Sequence, residues 1–245
     1  MTTNHDAQEF ITRLYELQSD DELKKIQRYF KSGEGQYSQG DKFIGVRMGS
    51  IFTLAKEFVQ TPIAEIEILL NNPVHEVRVG AVSIMDFLAR SKKTPESIKK
   101  ELFELYLRRH DRINNWDLVD RSAMYVVGSY LKDKPRDILY ELAHSENIWE
   151  RRTAIVSTGY FIKNGDVADT FAIAEILLND PEDLIHKAVG GWIRHAGGTK
   201  HRKHLLSFLD KYAATMPRTM LRYATEHLDA DEKKHYMYLK KTTQS

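Results

Sequence analysis

The sequence predicts an all-α protein, a single domain of stacked helical repeats in the form of an α-solenoid. Three observations support this: apolar residues recur at helical spacing, strand-type alternation is absent, and a helix-pair unit recurs along the chain. Glycine and proline are scarce, with 13 Gly and 6 Pro in 245 residues, whereas all-β folds need frequent turn residues. We therefore expect one all-α domain over residues 1–245.

Apolar residues follow the period of an α-helix in several segments. The clearest sets are Phe103, Tyr106 and Leu107; Ala123, Val127 and Leu131; and Ile185, Ala188, Val189, Trp192 and Ala196. Turn-forming residues separate the predicted helices at 31–40, 71–73, 91–95, 132–135, 164–166, 179–181, 197–200 and 216–217. Each interval has room for one or two helices.

The chain also repeats itself. The segments NNPVHEVRVGAV (71–82), AHSENIWERRTAI (143–155) and LNDPEDLIHKAV (178–189) each place a polar turn before a helix that carries a small residue. Such residues recur at spacings of 31, 42, 31 and 34, at Ser50, Ala81, Ala123, Ala154 and Ala188. A two-helix unit of this length is typical of HEAT repeats, which stack because one pair cannot bury its own apolar stripe. We expect about six pairs with one concave face, and a disordered tail at residues 242–245.

Composition excludes several functional classes. The absence of cysteine rules out disulfides, thiolate catalysis, cysteine-ligated zinc and iron–sulfur clusters. There is no apolar run long enough to span a membrane, and residues 1–9 are too polar for a signal peptide. The sequence therefore predicts a soluble, cytoplasmic protein.

Charge is balanced overall but unevenly placed. The formal net charge is +1, yet residues 187–222 contain eight Lys or Arg and one acid, whereas residues 164–186 contain six acids and no Lys or Arg. This asymmetry predicts a basic concave surface that could bind nucleic acid. The alternative, a solvated helix face without a partner, stays open.

The segment RINNWDLVDRSA (112–123) is the first candidate site. Trp116 and Asp120 are four residues apart and share a helix face, with Asp117 close by. Asp120 also continues the apolar stripe of the following residues, which predicts a carboxylate that points inward or into a cleft. The alternative is that Asp117 or Asp120 caps the helix.

The segment ENIWERRTAIV (146–156) is the second candidate. Trp149 and Arg152 are three residues apart and share a helix face. An arginine beside an aromatic ring is well suited to read phosphate, because its planar fork matches phosphate oxygens. The alternative is a salt bridge between Arg152 and an acid in a neighbouring repeat.

The segment HKAVGGWIRHAGGTKHRKH (186–204) is the third candidate. Lys187, Gly191, Arg194 and Gly198 follow one face of a predicted helix, and glycine there allows a ligand to approach closely. By spacing, Trp192 belongs to the apolar face and is expected in the core. The segment therefore predicts a basic stripe interrupted by glycines.

Two histidines in the same segment, His201 and His204, are not expected to bind a metal. They lie among Lys200, Arg202 and Lys203, whose charges would repel a divalent cation. No metalloprotease, phosphate-loop, dinucleotide-binding or nucleophile-elbow motif occurs either. We expect neither a metal nor a cofactor.

Taken together, these motifs resemble the bacterial DNA alkylation repair enzymes of the AlkD type, which are HEAT-like repeat alkylpurine DNA glycosylases. The resemblance rests on W-D-x-V-D at 116–120, N-I-W-x-x-R at 147–152 and K-A-V-G at 187–190. RYFKSGEGQYSQGDKFIGVR (28–47) and MPRTMLRYATEHL (216–228) resemble further parts of the family. The resemblance thus covers nearly the whole chain.

The resemblance implies excision of cationic N3- or N7-alkylated purines from duplex DNA, without AP-lyase activity, cofactor or metal. Family members are known for leaving the lesion stacked, unlike glycosylases that flip the base into a pocket. We therefore expect a monomeric base excision repair enzyme that works in the bacterial cytoplasm and is associated with the nucleoid when bound to DNA.

The resemblance also assigns residues. Trp116 matches the aromatic that packs on the lesion deoxyribose, Asp120 the catalytic carboxylate and Arg152 the arginine that binds the backbone. Tyr29 matches a DNA-contacting tyrosine. The expected DNA-binding set is Tyr29, Trp149, Lys187, Gly191, Trp192, Arg194, Lys200, Arg202 and Lys203.

One departure concerns a second sugar-stacking tryptophan, which the family often carries directly after K-A-[IV]-G. That position here is Gly191, and Trp192 follows one residue later, which is about 100° of helix rotation. Either the helix shifts locally to present Trp192, or the cleft has a single stacking aromatic.

Two other functions remain open. A non-catalytic family member that binds damaged or branched DNA is favoured by Gly191, whereas Asp120 favours the enzyme. A HEAT-repeat scaffold that binds proteins would expose an apolar or acidic concave face, which the basic residues 187–222 argue against.

Overall fold

The structure, a computed structural model, describes residues 5–30, 33, 36–198 and 200–242. Within these residues it is all-helical and has no β-strand, with one isolated bridge between Lys42 and Val74. The predicted all-α class is confirmed, and the helices are consistent with a HEAT-like repeat fold. The chain divides into two compact units, Met1–Tyr130 and Leu131–Ser245.

The N-terminal unit has seven α-helices in its described residues. They are α1 (Ala7–Tyr15), α2 (Asp20–Tyr29), α3 (Met48–Glu57), α4 (Ile63–Leu70), α5 (His75–Arg90), α6 (Glu96–Arg108) and α7 (Trp116–Ala123). Side-chain N-caps define where α1 and α2 begin. The side chain of Asp6 accepts the backbone N–H of Glu9 at 2.8 Å, and that of Ser19 accepts the backbone N–H of Glu22 at 3.5 Å. A π-helical turn, Met124–Gly128, follows α7.

Helix α5 is the centre of this unit. Thirteen of its 16 residues are buried, and α3, α4 and α7 all pack against it. A helix enclosed on all sides must find internal partners for its polar side chains. The buried polar residues of α5 include His75, Glu76, Arg78 and Asp86, and they organise the site described below.

The C-terminal unit has eight α-helices in its described residues. They are α8 (Asp137–Ala143), α9 (Ile148–Ser157), α10 (Gly159–Lys163), α11 (Ala168–Ile176), α12 (Asp183–Ala196), α13 (Arg202–Tyr212), α14 (Arg218–Ala224) and α15 (Ala230–Thr242). Residue 242 thus ends a helix, and residues 243–245 of the expected tail lie outside the described residues.

The residues that mark the sequence repeat all lie on helices. Ser50 is on α3, Ala81 on α5, Ala123 on α7, Ala154 on α9 and Ala188 on α12, and the four alanines are buried. Within the units, α3 packs on α5, α5 on α7, and α9 on α12. The repeated small residues therefore mark helices that pack against one another, and their small side chains allow the helices to approach closely.

The described helices are short. The longest, α5, has 16 residues, whereas a membrane-spanning helix needs about 20 apolar residues. No described helix is long and apolar enough to cross a bilayer. The same residues contain no group of three or more histidine and acidic side chains placed to hold a metal ion.

Candidate active site and nucleic-acid interface

Helix α7 carries Trp116 and Asp120 one turn apart. Asp120 is exposed and Trp116 is half-buried, so the carboxylate does not join the buried apolar stripe that its spacing suggested. The N-cap of α7 is Asn115, whose side-chain oxygen accepts the backbone N–H of Trp116 at 2.8 Å. The alternative in which Asp117 or Asp120 caps this helix is therefore wrong.

Asp117, the other carboxylate of α7, is buried and joins the helix to α5. Its Oδ2 lies 2.8 Å from Nε2 of His75, and its Oδ1 accepts the N–H of Leu118 at 3.0 Å. The other ring nitrogen of His75 lies 3.7 Å from Oδ2 of Asp41. Because a buried carboxylate is stable only with partners, this network fixes where α7 begins.

Asp41 connects that network to two further buried groups. Nη2 of Arg78 donates to Asp41 Oδ1 at 2.5 Å, and the amide of Asn115 donates to Asp41 Oδ2 at 3.1 Å and to Ser38 Oγ at 2.6 Å. Burial lowers the pKa of the Arg78 guanidinium, and the charge of Asp41 opposes this. The loop before α3 and the N-cap of α7 are thereby held together.

Arg121 anchors α7 one turn beyond Asp117. Its Nη1 lies 2.9 Å from Oδ2 of Asp86, a fully buried residue of α5, and its guanidinium lies over the ring of Phe52 at 4.4 Å. Burial raises the pKa of Asp86, whereas the charge of Arg121 acts to lower it. With both anchors on one face, the neighbouring face of α7 holds the predicted catalytic pair in a fixed position.

Aromatic side chains surround Trp116. Tyr29, the last residue of α2, is 67% exposed and presents its ring edge-on to Trp116 at 5.9 Å. Phe30 lies nearly parallel to Trp116 at 5.7 Å, and Phe43 lies 5.2 Å from Phe30. These rings line a pocket of about 420 Å³.

Sequence analysis did not single out Phe30, Phe43, His75 or Asn115. A signal for Asn115 was present, since asparagine directly before a predicted helix is a common N-cap. A weaker signal was the polar run H-E-V-R (75–78) inside an otherwise apolar segment. Nothing in the sequence next to Phe30 and Phe43 predicts their contacts with other rings, because the cluster forms only where the end of α2 packs near the start of α7.

In the C-terminal unit, Trp149 and Arg152 are buried on α9, at 7% and 8% exposure. Nη1 of Arg152 donates to the backbone oxygen of Leu184 in the first turn of α12, at 2.7 Å. Asn147 caps α9 by accepting the N–H of Trp149 at 3.0 Å. Arg152 therefore holds α9 against the start of α12.

The two adjacent glycines of helix α12, Gly190 and Gly191, have different surroundings. A Cβ on Gly190 would lie 2.5 Å from the carbonyl oxygen of Met220 on α14, whereas a Cβ on Gly191 would meet nothing within 4 Å. Gly190 thus permits a close helix contact, and Gly191 faces open space. Trp192 is half-buried rather than in the core as expected, because the buried stripe continues through Ile193 and leaves Trp192 at its edge.

Several cations of residues 187–222 are paired with acids that lie outside that range. Lys200 and Lys203 are exposed, and neither has an ion pair among the described residues. Exposed pairs contribute only about 0–1 kcal/mol each, so a phosphate can replace the acid. The pairs include Lys187–Asp183, Arg194–Glu226, Arg202–Glu232 and Lys211–Glu175.

Comparison with known proteins agrees with this architecture. The family model of DNA alkylation repair enzymes matches residues 10–228. The chain belongs to the DNA alkylation repair enzyme family. A solved structure described as a predicted DNA alkylation repair enzyme from Enterococcus faecalis is similar, with a TM-score of 0.69 and 16% identity over 87% of this chain and 97% of that chain. At that identity the likeness shows the fold alone. Among curated proteins, none matched the chain.

In this DNA alkylation repair family member, the predicted site residues fall into two groups. Tyr29, Trp116 and Asp120 belong to the N-terminal unit, where α2 and α7 bring the two aromatic rings together. The other predicted DNA-binding residues belong to the C-terminal unit, on α9, on α12 and around the start of α13.

Proposed function

We propose that this family member is a DNA glycosylase that hydrolyses the N-glycosidic bond of cationic N3- or N7-alkylated purines, such as 3-methyladenine and 7-methylguanine, in duplex DNA. One observation carries the proposal: an anchored helix, α7, holds Trp116 and Asp120 one turn apart, with the exposed ring of Tyr29 beside Trp116. The family assignment supports a role in repair of alkylated DNA.

The chemistry suits a carboxylate beside an indole. When the C1′–N9 bond breaks, its electron pair goes to the purine and neutralises the positive charge, so the leaving base needs no proton. Positive charge develops on the sugar, where the anion of Asp120 and the face of Trp116 stabilise it. The oxygen of water then bonds to C1′, and its proton passes to Asp120 and on to solvent.

The product of this reaction is an abasic site in an intact strand. Hydrolysis by water forms no covalent bond between an amine of the protein and the sugar, so no strand cleavage follows. We therefore propose a monofunctional enzyme. We also propose, from the family resemblance alone, that it acts as a monomer on chromosomal DNA at the nucleoid.

The C-terminal unit supplies the proposed grip on the DNA backbone. Lys200 and Lys203 are exposed, and the paired cations Lys187 and Arg194 are in part exposed. Arg152 donates to the Leu184 carbonyl, and we propose that it also contributes to phosphate binding, as the family resemblance implies. Such binding should weaken steeply with salt.

Release of free base from methylated duplex DNA tests the proposal. We expect the wild type to release alkylated purines and Asp120→Asn to bind DNA without release. Asp111→Asn is the matched control, because Asp111 is an exposed acid of the same unit, paired with Arg109 at 3.1 Å. Release by Asp120→Asn at the wild-type rate would remove Asp120 from the mechanism.

Gly191 supports a second candidate function, a non-catalytic binder of damaged or branched DNA. Open space lies next to Gly191, where the family that the sequence resembles often carries a second stacking tryptophan. Duplex binding without base release by the wild type would favour this candidate. Failure to bind DNA at all would favour a protein-binding scaffold instead.

A further inference from the structure

The pocket beside Trp116 has no part in the chemistry proposed above, in which the lesion base stays stacked in the duplex. Its volume of about 420 Å³ lies within the range of about 300–1,000 Å³ that is usual for small-molecule sites. The rings of Tyr29, Phe30, Phe43 and Trp116 form much of its wall. Such a wall is apolar and yet attracts cations, because the face of each ring carries partial negative charge.

Glu76 adds a buried carboxylate to this aromatic wall. It lines the pocket and is only 2% exposed. Its Oε1 accepts the backbone N–H groups of residues 44, 45 and 46 at 3.1, 2.9 and 3.5 Å. Its Oε2 has no hydrogen-bond partner in the part of the chain that the structure describes. Since a buried charge is normally compensated by an opposite one, this carboxylate indicates a cation that occupies the pocket.

The other charged groups at the pocket are paired with one another or with the helix behind it. Lys25 and Arg47 both contact Oε1 of Glu22, at 2.7 and 2.9 Å. Their side chains are largely exposed, so water and salt screen the charges that they carry. Nε2 of His75 lies 2.8 Å from the carboxylate of Asp117. The charge that acts most strongly inside the pocket is therefore that of the buried carboxylate, which favours a cationic ligand.

The burial of Oε2 of Glu76 selects the kind of cation. This oxygen is closed to solvent, so a ligand in the pocket is attracted by its charge without a hydrogen bond to it. An ammonium ion with N–H groups would give up hydrogen bonds to water there without replacement, whereas a quaternary ammonium group has no N–H, and aromatic walls are suited to bind it. We infer that this pocket binds the trimethylammonium head of a small molecule such as choline. The inference does not depend on the proposed function.

Titration calorimetry of the full chain with choline chloride tests the inference, with sodium chloride as the blank for ionic strength. The matched neutral ligand is 3,3-dimethylbutan-1-ol, in which a carbon atom replaces the charged nitrogen of choline. DNA is left out, because Tyr29 and Trp116 also belong to the proposed DNA interface. We expect the wild type to bind choline at least about tenfold more tightly than the alcohol, which is the effect of one desolvated cation–π interaction. Methylammonium, a cation with N–H donors, should bind more weakly than choline.

Three variants localise the binding. Glu76→Gln keeps an amide oxygen for the backbone N–H groups of residues 44–46 and removes the charge, so the preference for choline over the alcohol should be lost. Phe43→Leu keeps an apolar side chain but removes one aromatic ring, so choline should bind more weakly. Glu104→Gln, at an exposed acid of α6 that pairs with Lys100, should bind like the wild type.

Each outcome decides the inference. Wild-type protein that does not bind choline, or binds the alcohol equally well, overturns it, as does a folded Glu76→Gln that keeps the preference. If circular dichroism shows that Glu76→Gln does not fold, unchanged choline binding by folded Phe43→Leu overturns it instead. Methylammonium that binds as tightly as choline overturns the assignment to a quaternary ammonium group.

Discussion

Replacing Asp117 by alanine removes the carboxylate that joins α7 to α5. The change leaves Nε2 of His75 without its partner at 2.8 Å and the N–H of Leu118 without its acceptor at 3.0 Å. A buried polar group left unpaired costs about 1–3 kcal/mol, and loss of an acceptor in the first turn of a helix about 0.5–2 kcal/mol. We expect the free energy of unfolding to fall by about 3 kcal/mol.

Thermal unfolding followed by circular dichroism measures this loss. For a chain of this length, each 1 kcal/mol lowers Tm by about 2–4 °C, so Asp117→Ala should lower Tm by about 6–12 °C. Asp120→Ala is the matched control, because Asp120 is exposed and lies three residues along the same helix. An interaction of an exposed side chain contributes only about 0–1 kcal/mol, so the unfolding free energy of Asp120→Ala should fall by at most about 1 kcal/mol, while base release is lost.

A double mutant separates the contact from a general effect of mutation. If Asp117 acts through His75, the variant that carries both His75→Ala and Asp117→Ala should lose less stability than the sum of the two single variants. Strict additivity would show that the two side chains are not coupled. The reasoning also fails if Asp120→Ala destabilises the protein more than Asp117→Ala does.

Three further predictions follow from other parts of the structure. Gly191→Trp should leave Tm unchanged and speed base release, whereas Gly190→Ala should lower Tm because its Cβ would clash with α14; thermal unfolding and base release measure both effects. Arg152→Ala should lower the unfolding free energy in denaturant by about 1–3 kcal/mol and weaken DNA binding, more at low salt than at high. Burial and a hydrogen bond to an aspartate raise the pKa values of Tyr140 and Tyr236 to about 12. The stability that both phenols contribute is present below the ordinary pKa of 10.0 and lost as pH rises towards about 12; a spectroscopic titration of Tyr140→Phe should show one late-titrating tyrosine fewer than the wild type, and so should that of Tyr236→Phe.

The fold class could be predicted from the sequence because helical periodicity and repeat spacing are local properties. Ala81, Ala154 and Ala188, for example, mark helices that pack on their neighbours. The start of α7 was less predictable, although Asn115 carried the signal of an N-cap. Local patterns therefore sufficed for helices and much of their order.

The roles of the two carboxylates of α7 could not be separated in this way. Both are compatible with a helix face near the core, and the spacing favoured Asp120 as the inward one. Asp117 is buried because it meets His75, which lies 42 positions earlier in the chain. A contact over that distance leaves no trace in local periodicity. The burial of Trp192 was also not predictable from spacing alone. Each residue turns the helix by about 100°, so Ile193 lies in the buried stripe and Trp192 lies at its edge.

The charge of the surface is the property that the sequence predicts least well. A count of charges over one segment leaves out the acids elsewhere in the chain that pair with its cations. Residues 187–222 have a large excess of cations, yet Arg194 pairs with Glu226 and Arg202 with Glu232, both beyond that window. The free surface is therefore less positive than the sequence suggests. Phosphates can still replace these acids, since an exposed pair contributes only about 0–1 kcal/mol and each phosphate contact releases counterions from DNA. Lys200 and Lys203, which have no acid to give up among the described residues, should then contribute more to affinity than the paired arginines.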